Sequence, residues 1–274
     1  MSKYVEMHRN SLEKPEEFWA TEAEKLSWTK TWDRVLDESK APFFRWFVGG
    51  ETNLCFNAVD RHARSGKGDK PAIIWESPET GQSRTLSFSE LLDEVNMAAA
   101  ALKDLGVNKG DRVIIYLPMV PEALVSMLAC ARIGAVHSVV FAGFSFESLA
   151  DRIDDASPKA IITADASTRK GKIVPLKKIV DAALERAPID ACIVLHRGIQ
   201  ELQRKEGRDH DWKELMAKHE GADVPCEPLE STHPSYILYT SGTTGKPKGV
   251  VRDTGGHMVA LHASMEQIYN VGDG

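Results

Sequence analysis

The 274-residue chain has few cysteines, and no two of them have the C-x-x-C spacing of a zinc or redox motif. The four cysteines are Cys55, Cys130, Cys192 and Cys226. Cys130 and Cys192 lie in apolar runs, so we expect them to be small core residues with reduced thiols. The sequence therefore predicts neither a disulfide framework nor a metal site.

Long apolar runs and an excess of positive charge are also missing. No apolar run approaches the ~18 residues that are needed to cross a bilayer. Residues 1–6 carry an early acid and lack the apolar stretch of a secretion signal, which favours a cytoplasmic protein without a membrane partner. The net charge of −6 disfavours nucleic-acid binding, which requires a basic face. A polyanionic ligand would therefore need a local basic cluster.

Short apolar runs and amphipathic stretches alternate from about residue 70. Runs typical of buried strands occur near 71–75, 85–88, 112–117, 136–141, 160–163, 191–195 and 236–239, and helical patterns near 87–105, 121–133, 146–155, 175–187, 212–219 and 257–269. Ser87 and Glu90 have capping-box spacing, and Gly106 ends the helix that they begin. Residues 198–232 are interpreted as a solvated connection with one short helix. This rhythm predicts an α/β fold with a mostly parallel sheet and helices on both faces.

A loop that is rich in glycine, hydroxyl groups and lysine follows the run at 236–239. Residues 239–249 contain three glycines, two lysines and four serine or threonine hydroxyls. Such a loop favours an anion site, because glycine lets backbone N–H groups turn inward while hydroxyls and lysines add donors and charge. It is not a Walker A loop, because Pro247 follows Gly245-Lys246 and prevents a helix there. The alternative is a polar turn without function.

The densest positive cluster is Arg169-Lys170-Gly171-Lys172, with Lys177 and Lys178 shortly after it. Arginine and flexible lysines suit the phosphates of a nucleotide tail. The residues alone favour a solvated basic face, which is what a run of like charges usually forms.

The glycine-rich loop resembles the phosphate-binding signature of the adenylate-forming enzymes, which include acyl-CoA synthetases and luciferases. The resemblance implies that ATP phosphates are bound by Thr240, Ser241, Gly242, Thr243, Thr244, Gly245, Lys246 and Lys248. Residues 45–62 are similar to the N-terminal extension of acetyl- and propionyl-CoA synthetases, and residues 128–144 are similar to short-chain acyl-CoA synthetases. Ala142 departs from the glycine that is more usual in the family.

The resemblance also gives the basic cluster a role. The matching stretch of acetyl-CoA synthetases contacts coenzyme A, which implies coenzyme A contacts from Arg169, Lys170, Gly171 and Lys172. Lys172 stands where the family has a second arginine. The implied function is an AMP-forming acid–thiol ligase that activates acetate or propionate with ATP and Mg²⁺, and then transfers the acyl group to coenzyme A. Arg252 favours propionate slightly.

The resemblance implies a division into an N-terminal extension, residues 1–65, and an incomplete adenylation domain, residues 66–274. Tryptophans recur in the extension, and we expect them to clamp it onto the larger body rather than line a ligand site. Catalytic residues are expected beyond Gly274, so the chain is expected to be a fragment that is inactive alone. Two alternatives stay open, a different adenylate-forming ligase and a non-catalytic module that binds nucleotide or coenzyme A.

Overall fold

The computed structural model describes residues 3–240 and 247–272. The helices of this part are α1 (Lys3–Glu13), α2 (Pro15–Ala23), α3 (Phe88–Asp104), α4 (Pro121–Arg132), α5 (Phe146–Ala156), α6 (Leu176–Arg186), α7 (Trp212–Lys218) and α8 (Gly255–Gln267). Two π-helical turns, Phe56–Asp60 and Ala63–Lys67, precede α3. The strands are β1 (Arg34–Asp37), β2 (Arg45–Val48), β3 (Glu51–Thr52), β4 (Pro71–Ser77), β5 (Gln82–Ser87), β6 (Arg112–Tyr116), β7 (Val136–Val139), β8 (Ala160–Ala164), β9 (Ser167–Arg169), β10 (Lys172–Val174), β11 (Ala191–Leu195), β12 (Asp209–Asp211), β13 (Leu229–Glu230), β14 (Pro234–Thr240) and β15 (Lys248–Asp253).

The main sheet has seven strands in the order β12-β11-β8-β6-β7-β14-β15. Every neighbouring pair is parallel except β14 and β15, which form an antiparallel hairpin. All residues of β8 and β11 are buried, which explains their continuous apolar sequences. The predicted mostly parallel sheet is therefore confirmed.

Helices cover both faces of this sheet. The connection from β6 to β7 through α4 runs in one direction along the sheet, and the connection from β7 to β8 through α5 runs in the other. Since such crossovers are right-handed, their helices lie on opposite faces. In agreement, α3 contacts α4 and α7, whereas α5 contacts α6.

The predicted helix boundaries near residue 87 are confirmed in atomic detail. Ser87 Oγ accepts a hydrogen bond from the Glu90 backbone N–H at 3.2 Å, and Glu90 Oε2 accepts one from the Ser87 N–H at 2.8 Å. These two bonds form a capping box that satisfies free donors at the start of α3. Gly106 follows the end of α3 with φ of +79°, a conformation that glycine adopts without strain.

Two stretches contain strands that the sequence pattern did not predict. Residues 198–232 contain the short strands β12 and β13 in addition to the predicted helix α7. Residues 250–253 belong to β15, a strand that the sequence pattern did not predict, and the predicted helix follows as α8 from Gly255. Both β12 and β15 lie at the edges of the main sheet, where a strand needs no apolar alternation on a buried face.

The tryptophans of the N-terminal extension, residues 1–65, which we call the leader, pack as predicted. Their aromatic cluster surrounds the buried Phe47 and includes Trp19, Trp28, Trp32 and Trp46. It packs against Met258 and Val259 of α8, so the leader is clamped onto the body through apolar contacts.

Cys130 and Cys192 are buried, which confirms their prediction as core residues. Among the helices of the described residues, none is long and apolar enough to cross a bilayer.

Candidate functional site

Six of the seven strands of the main sheet are parallel, so their carboxyl ends lie along the same edge of the sheet. The strand order reverses after β7, because β7 lies on one side of β6 and the next parallel strand, β8, on the other. In open α/β sheets, the crevice at such a reversal is where ligands bind. The loops that follow β7, β8 and β14 all leave the sheet at this edge, and they carry both candidate anion sites.

The first candidate site, the glycine-rich loop, is described only at its ends. Thr240 and Lys248 are paired across the hairpin, and Thr240 Oγ1 donates a hydrogen bond to the Lys248 carbonyl at 3.4 Å. Both residues are exposed. The chain continues from Pro247 into a strand rather than a helix, which agrees with the argument against a Walker A loop. The other predicted phosphate ligands lie outside the described residues; they are Ser241, Gly242, Thr243, Thr244, Gly245 and Lys246.

A buried arginine lies under the end of the strand that enters this loop. The Arg152 guanidinium lies 5.5 Å from the centroid of the Tyr239 ring and 4.6 Å from that of Phe144. Its Nη1 donates to the Ser148 carbonyl at 2.6 Å. Tyr239 in turn donates its hydroxyl to Asp155 Oδ2 at 2.6 Å. These contacts hold the carboxyl end of β14 against α5.

The charge of Arg152 has no acidic partner in an ion pair within residues 3–240 and 247–272, although the residue is only 8% exposed. Burial lowers the pKa of its guanidinium. The negative charge of Asp151 acts on Arg152 in the opposite sense and offsets part of this positive charge. The remainder favours an anionic ligand near the loop.

The base of β14 rests on two histidines. His137 of β7 stacks against Tyr236 with ring centroids 5.6 Å apart, and the Tyr236 hydroxyl lies 2.9 Å from His257 Nε2. Burial lowers the pKa of His137 to about 4, so its ring is neutral near neutral pH. Tyr236 lies four residues before Thr240, so these histidines support the strand at a distance from the loop.

The second candidate site is a tight hairpin. Strands β9 and β10 pair Arg169 with Lys172, and Lys170 and Gly171 form the two-residue turn with φ of +50° and +74°. Positive φ at both central residues is the geometry in which glycine is favoured. Arg169, Lys170 and Lys172 are exposed. The hairpin therefore presents three cationic side chains to solvent.

Lys177 does not belong to this basic surface, which corrects the sequence interpretation. Its side chain is buried, and its Nζ lies 2.8 Å from Asp181 and from Asp209. Arg208 contacts both of these acids as well. The positive charge of this lysine is balanced by its acidic partners, so the basic surface cluster is smaller than the sequence suggested. Lys178 is exposed.

An aromatic segment after β7 meets the basic hairpin. The Arg169 guanidinium lies 5.4 Å from the centroid of the Phe141 ring, and Phe141 is 55% exposed. A Cβ atom added to Gly143 would lie 2.5 Å from the Phe141 ring and 3.2 Å from Arg169 Nη1. Only glycine fits there without displacement. Ala142 lies between these residues and is partly exposed.

Sequence reasoning placed Phe141 in a strand and missed this contact. The segment is held by Tyr116, whose hydroxyl donates to the Phe144 carbonyl at 2.8 Å, and burial raises the pKa of Tyr116 to about 12. The sequence did contain a sign of this aromatic segment, because aromatic residues alternate with small ones between the end of β7 and the start of α5. An exposed ring beside a guanidinium is suited to stacking with a nucleotide base, with cationic groups near its phosphates.

Comparison with known proteins places the chain in a class. It belongs to the family of AMP-binding enzymes, since the family model described as AMP-binding enzyme matches residues 59–273. A second model, described as acetyl-coenzyme A synthetase N-terminus, matches residues 4–58.

Individual relatives cover nearly the whole chain. A propionate–CoA ligase of Salmonella typhimurium is 50% identical over 97% of this chain. An acetyl-coenzyme A synthetase of Pyrobaculum arsenaticum is 48% identical over 98%. The solved acetoacetyl-CoA synthetase from Streptomyces lividans is 31% identical, covers 100% of this chain and superposes with a TM-score of 0.91. The chain spans 42% of the length of each of these three proteins.

Proposed function

We propose that this chain forms the phosphate- and coenzyme A-binding part of an AMP-forming short-chain acyl-CoA ligase, an acid–thiol ligase that acts on acetate or propionate. The observation that carries the proposal is the arrangement of both candidate anion sites on one carboxyl edge of the sheet. The names of the relatives, propionate–CoA ligase and acetyl-coenzyme A synthetase, support this substrate class.

The glycine-rich loop would hold the leaving group of the first reaction. In that step a substrate carboxylate attacks the α-phosphorus of ATP, and pyrophosphate leaves. Such a reaction asks the protein for positioning and for positive charge near the phosphate oxygens. Lys246 and Lys248 would supply charge from the loop, with Arg152 adding a positive potential beneath Tyr239. Mg²⁺ would arrive with ATP and would offset part of the negative charge of its phosphates.

The basic hairpin would hold coenzyme A for the second reaction. There the coenzyme A thiol attacks the acyl-adenylate and expels AMP. Arg169, Lys170 and Lys172 would contact the phosphates of the coenzyme, while the exposed Phe141 ring offers a stacking surface. Because Lys172 is a point charge rather than a bidentate group, it would bind phosphate less directionally than an arginine.

The proposal includes the division into an extension, 1–65, and an adenylation part, 66–274. A cytoplasmic location and the absence of nucleic-acid and membrane partners belong to it as well. Arg252 lies exposed on β15 opposite Tyr236, and the slight preference for propionate that rests on it is part of the same proposal.

Direct binding tests the coenzyme A site. Calorimetric titration of the chain with coenzyme A should give a dissociation constant that weakens about tenfold in Arg169→Gln, because a charge-assisted hydrogen bond to phosphate is lost. Lys178→Gln is the matched control, since Lys178 is an exposed lysine of the same sequence cluster that lies outside the hairpin. Equal weakening in both variants, or none in either, would contradict the assignment.

A second titration tests the loop. ATP with Mg²⁺ should bind more weakly to Lys246→Gln and to Lys248→Gln than to the parent chain, and Lys103→Gln at the far end of α3 serves as the control.

The identity of the acid substrate is tested by ATP–pyrophosphate exchange with acetate and propionate in parallel. We propose that these 274 residues alone show no exchange. Exchange above a heat-killed sample would refute this inactivity, and the faster acid would identify the substrate.

A further inference from the structure

A cavity of about 540 Å³ lies between the leader and the body, with a thiol in its wall. Its lining includes Trp28, Thr29, Phe56 and Asp60 from the leader, and Cys226 from the segment before β13. Among the residues that the structure describes, none of the predicted phosphate or coenzyme A ligands lines it. The cavity therefore requires its own explanation.

A second thiol lies next to the first. The Sγ atoms of Cys55 and Cys226 and a carboxylate oxygen of Asp60 all lie within 4.8 Å of one another. Cys226 Sγ is 3.6 Å from Asp60 Oδ2. Cys55 is fully buried, whereas Cys226 is partly exposed. Two thiols thus meet across 170 residues of sequence, and one of them is accessible from the cavity.

A buried arginine already provides the cation of this cluster. Arg132 donates from Nη1 to Asp60 Oδ2 at 2.8 Å and from Nη2 to Asp60 Oδ1 at 3.0 Å. Its Nη1 also lies 3.5 Å from Cys55 Sγ, and Arg64 approaches Asp60 at 3.3 Å. A divalent metal bound by the two thiols and Asp60 would lie against the Arg132 guanidinium. Repulsion between these charges argues against a metal centre and leaves the chemistry of the thiol pair itself.

The segment that carries Cys226 is held firmly against Arg132 and Asn53. Arg132 Nε donates to the Val224 carbonyl at 2.5 Å, and the Glu227 N–H donates to the Arg132 carbonyl at 2.8 Å. Asn53 Nδ2 donates to the Glu227 carbonyl at 2.9 Å. These bonds flank Cys226 on both sides and keep its thiol directed at Cys55. A disulfide has an S–S length of about 2.05 Å, so side-chain rotation must bring the sulfur atoms closer.

We propose that Cys55 and Cys226 are an oxidative modification site, a dithiol that closes to an intramolecular disulfide when a hydroperoxide enters through the cavity. The partly exposed Cys226 sulfur attacks the peroxide, the O–O bond breaks, and Cys226 becomes a sulfenic acid. The Cys55 sulfur then attacks the Cys226 sulfur, the S–O bond breaks and water leaves. The two thiols lose two protons and two electrons, and one hydrogen peroxide becomes two waters.

The same geometry sets the rate of this step. The hydrogen bond with Cys55, together with burial, raises the pKa of the Cys226 thiol, so little thiolate is present at neutral pH. Oxidation should therefore be slow and should require prolonged exposure to peroxide. Placement of the thiols, rather than their acidity, selects this pair. Cys130 and Cys192 lie on α4 and β11, and burial raises the pKa of each to about 12.

Peptide mapping tests the proposal directly, because trypsin places each cysteine in a different peptide. The chain is incubated with hydrogen peroxide, alkylated, digested without reductant and analysed by mass spectrometry. The expected product joins residues 46–61, which contain Cys55, to residues 219–248, which contain Cys226, with a loss of about 2 Da. Dithiothreitol should restore the separate peptides.

Variants and stability provide the controls. Cys55→Ser and Cys226→Ser should each abolish the cross-link, whereas Cys130→Ser and Cys192→Ser should retain it. In the parent chain, closing so long a loop should raise the melting temperature of the oxidised form by about 5 °C. The proposal is overturned if residues 219–248 carry only a sulfinic acid, if the cross-link joins other cysteines, or if peroxide leaves both peptides unchanged. These readouts are independent of ATP and coenzyme A binding.

Discussion

Replacing His137 by phenylalanine should remove a specific part of the pH dependence of folding. His137 lies on β7 with its ring stacked on Tyr236, and its Nδ1 has no hydrogen-bond partner in the part of the chain that the structure describes. The pKa of the imidazole falls from 6.5 to about 4, because burial penalises the charged ring. Phenylalanine keeps a flat ring for the stack and cannot take up a proton.

The sign and the size of this change in stability follow from the linkage between proton binding and folding. Between pH 6.5 and about pH 4 the unfolded chain binds a proton at His137 that the folded chain rejects, so stability falls as the pH falls through this range. The full difference corresponds to about 3 kcal/mol, of which about 2 kcal/mol is lost between about pH 8 and pH 5. The unfolding free energy of His137→Phe should not show this fall, because phenylalanine does not titrate.

The assay is urea unfolding followed by circular dichroism, repeated across this pH range. The informative quantity is the difference in unfolding free energy between the parent and the variant, because the contributions of His257 and of the carboxylates cancel in it. His8→Gln, at an exposed position of α1, controls for histidine replacement in general. If the parent and His137→Phe lose stability in parallel between about pH 8 and pH 5, burial of a neutral imidazole is the wrong explanation.

Three further substitutions test the packing by urea unfolding. Asp60→Asn should cost about 3–5 kcal/mol, because it leaves the Arg132 charge buried without its carboxylate, and adding Arg132→Met should recover part of that loss. Ser87→Ala should cost about 1 kcal/mol through loss of the capping box, and Ser87→Thr should recover most of it. Gly134→Ala should destabilise the chain, since φ there is +73° and a Cβ would lie 2.7 Å from Leu229 Cδ2, whereas alanine at the open Gly272 should cost little. A neutral result in any of these three would contradict the contact on which it rests.

The central part of the fold was predictable because the burial of its strands is visible in their local sequence. Strands β8 and β11 are buried on both faces, so their sequences are continuous apolar runs. The edge strands carry no such pattern. Strand β12 reads Asp-His-Asp, and the carboxylate of Asp209 is buried only because Lys177 and Arg208 neutralise it. That partnership could not be inferred from local sequence, and for the same reason Lys177 was placed on the surface.

The candidate site was predictable to a different degree. The glycine-rich loop and the basic hairpin were found from their residue types, and their ligand roles remain predictions. The contact between Phe141 and Arg169 was missed, because it joins loops that follow two strands on opposite sides of β6. Cys55 and Cys226 were missed as a pair because no spacing rule applies to residues so far apart. The local sequence pattern identifies single anion-binding loops. Contacts between segments that are distant in sequence can be identified only once the fold is known.

The aromatic clamp between the leader and α8 has a consequence for synthesis on the ribosome. Trp46 is made about 210 residues before Met258, its partner in the clamp. At about 5–20 residues per second, the tryptophan-rich leader waits about 10–40 s before the helix that covers it has been made. During that interval its indole rings are available to any apolar surface, including the leader of a neighbouring nascent chain. Slow translation before α8 should therefore lower the yield of folded protein, and a chaperone that covers the leader should restore it.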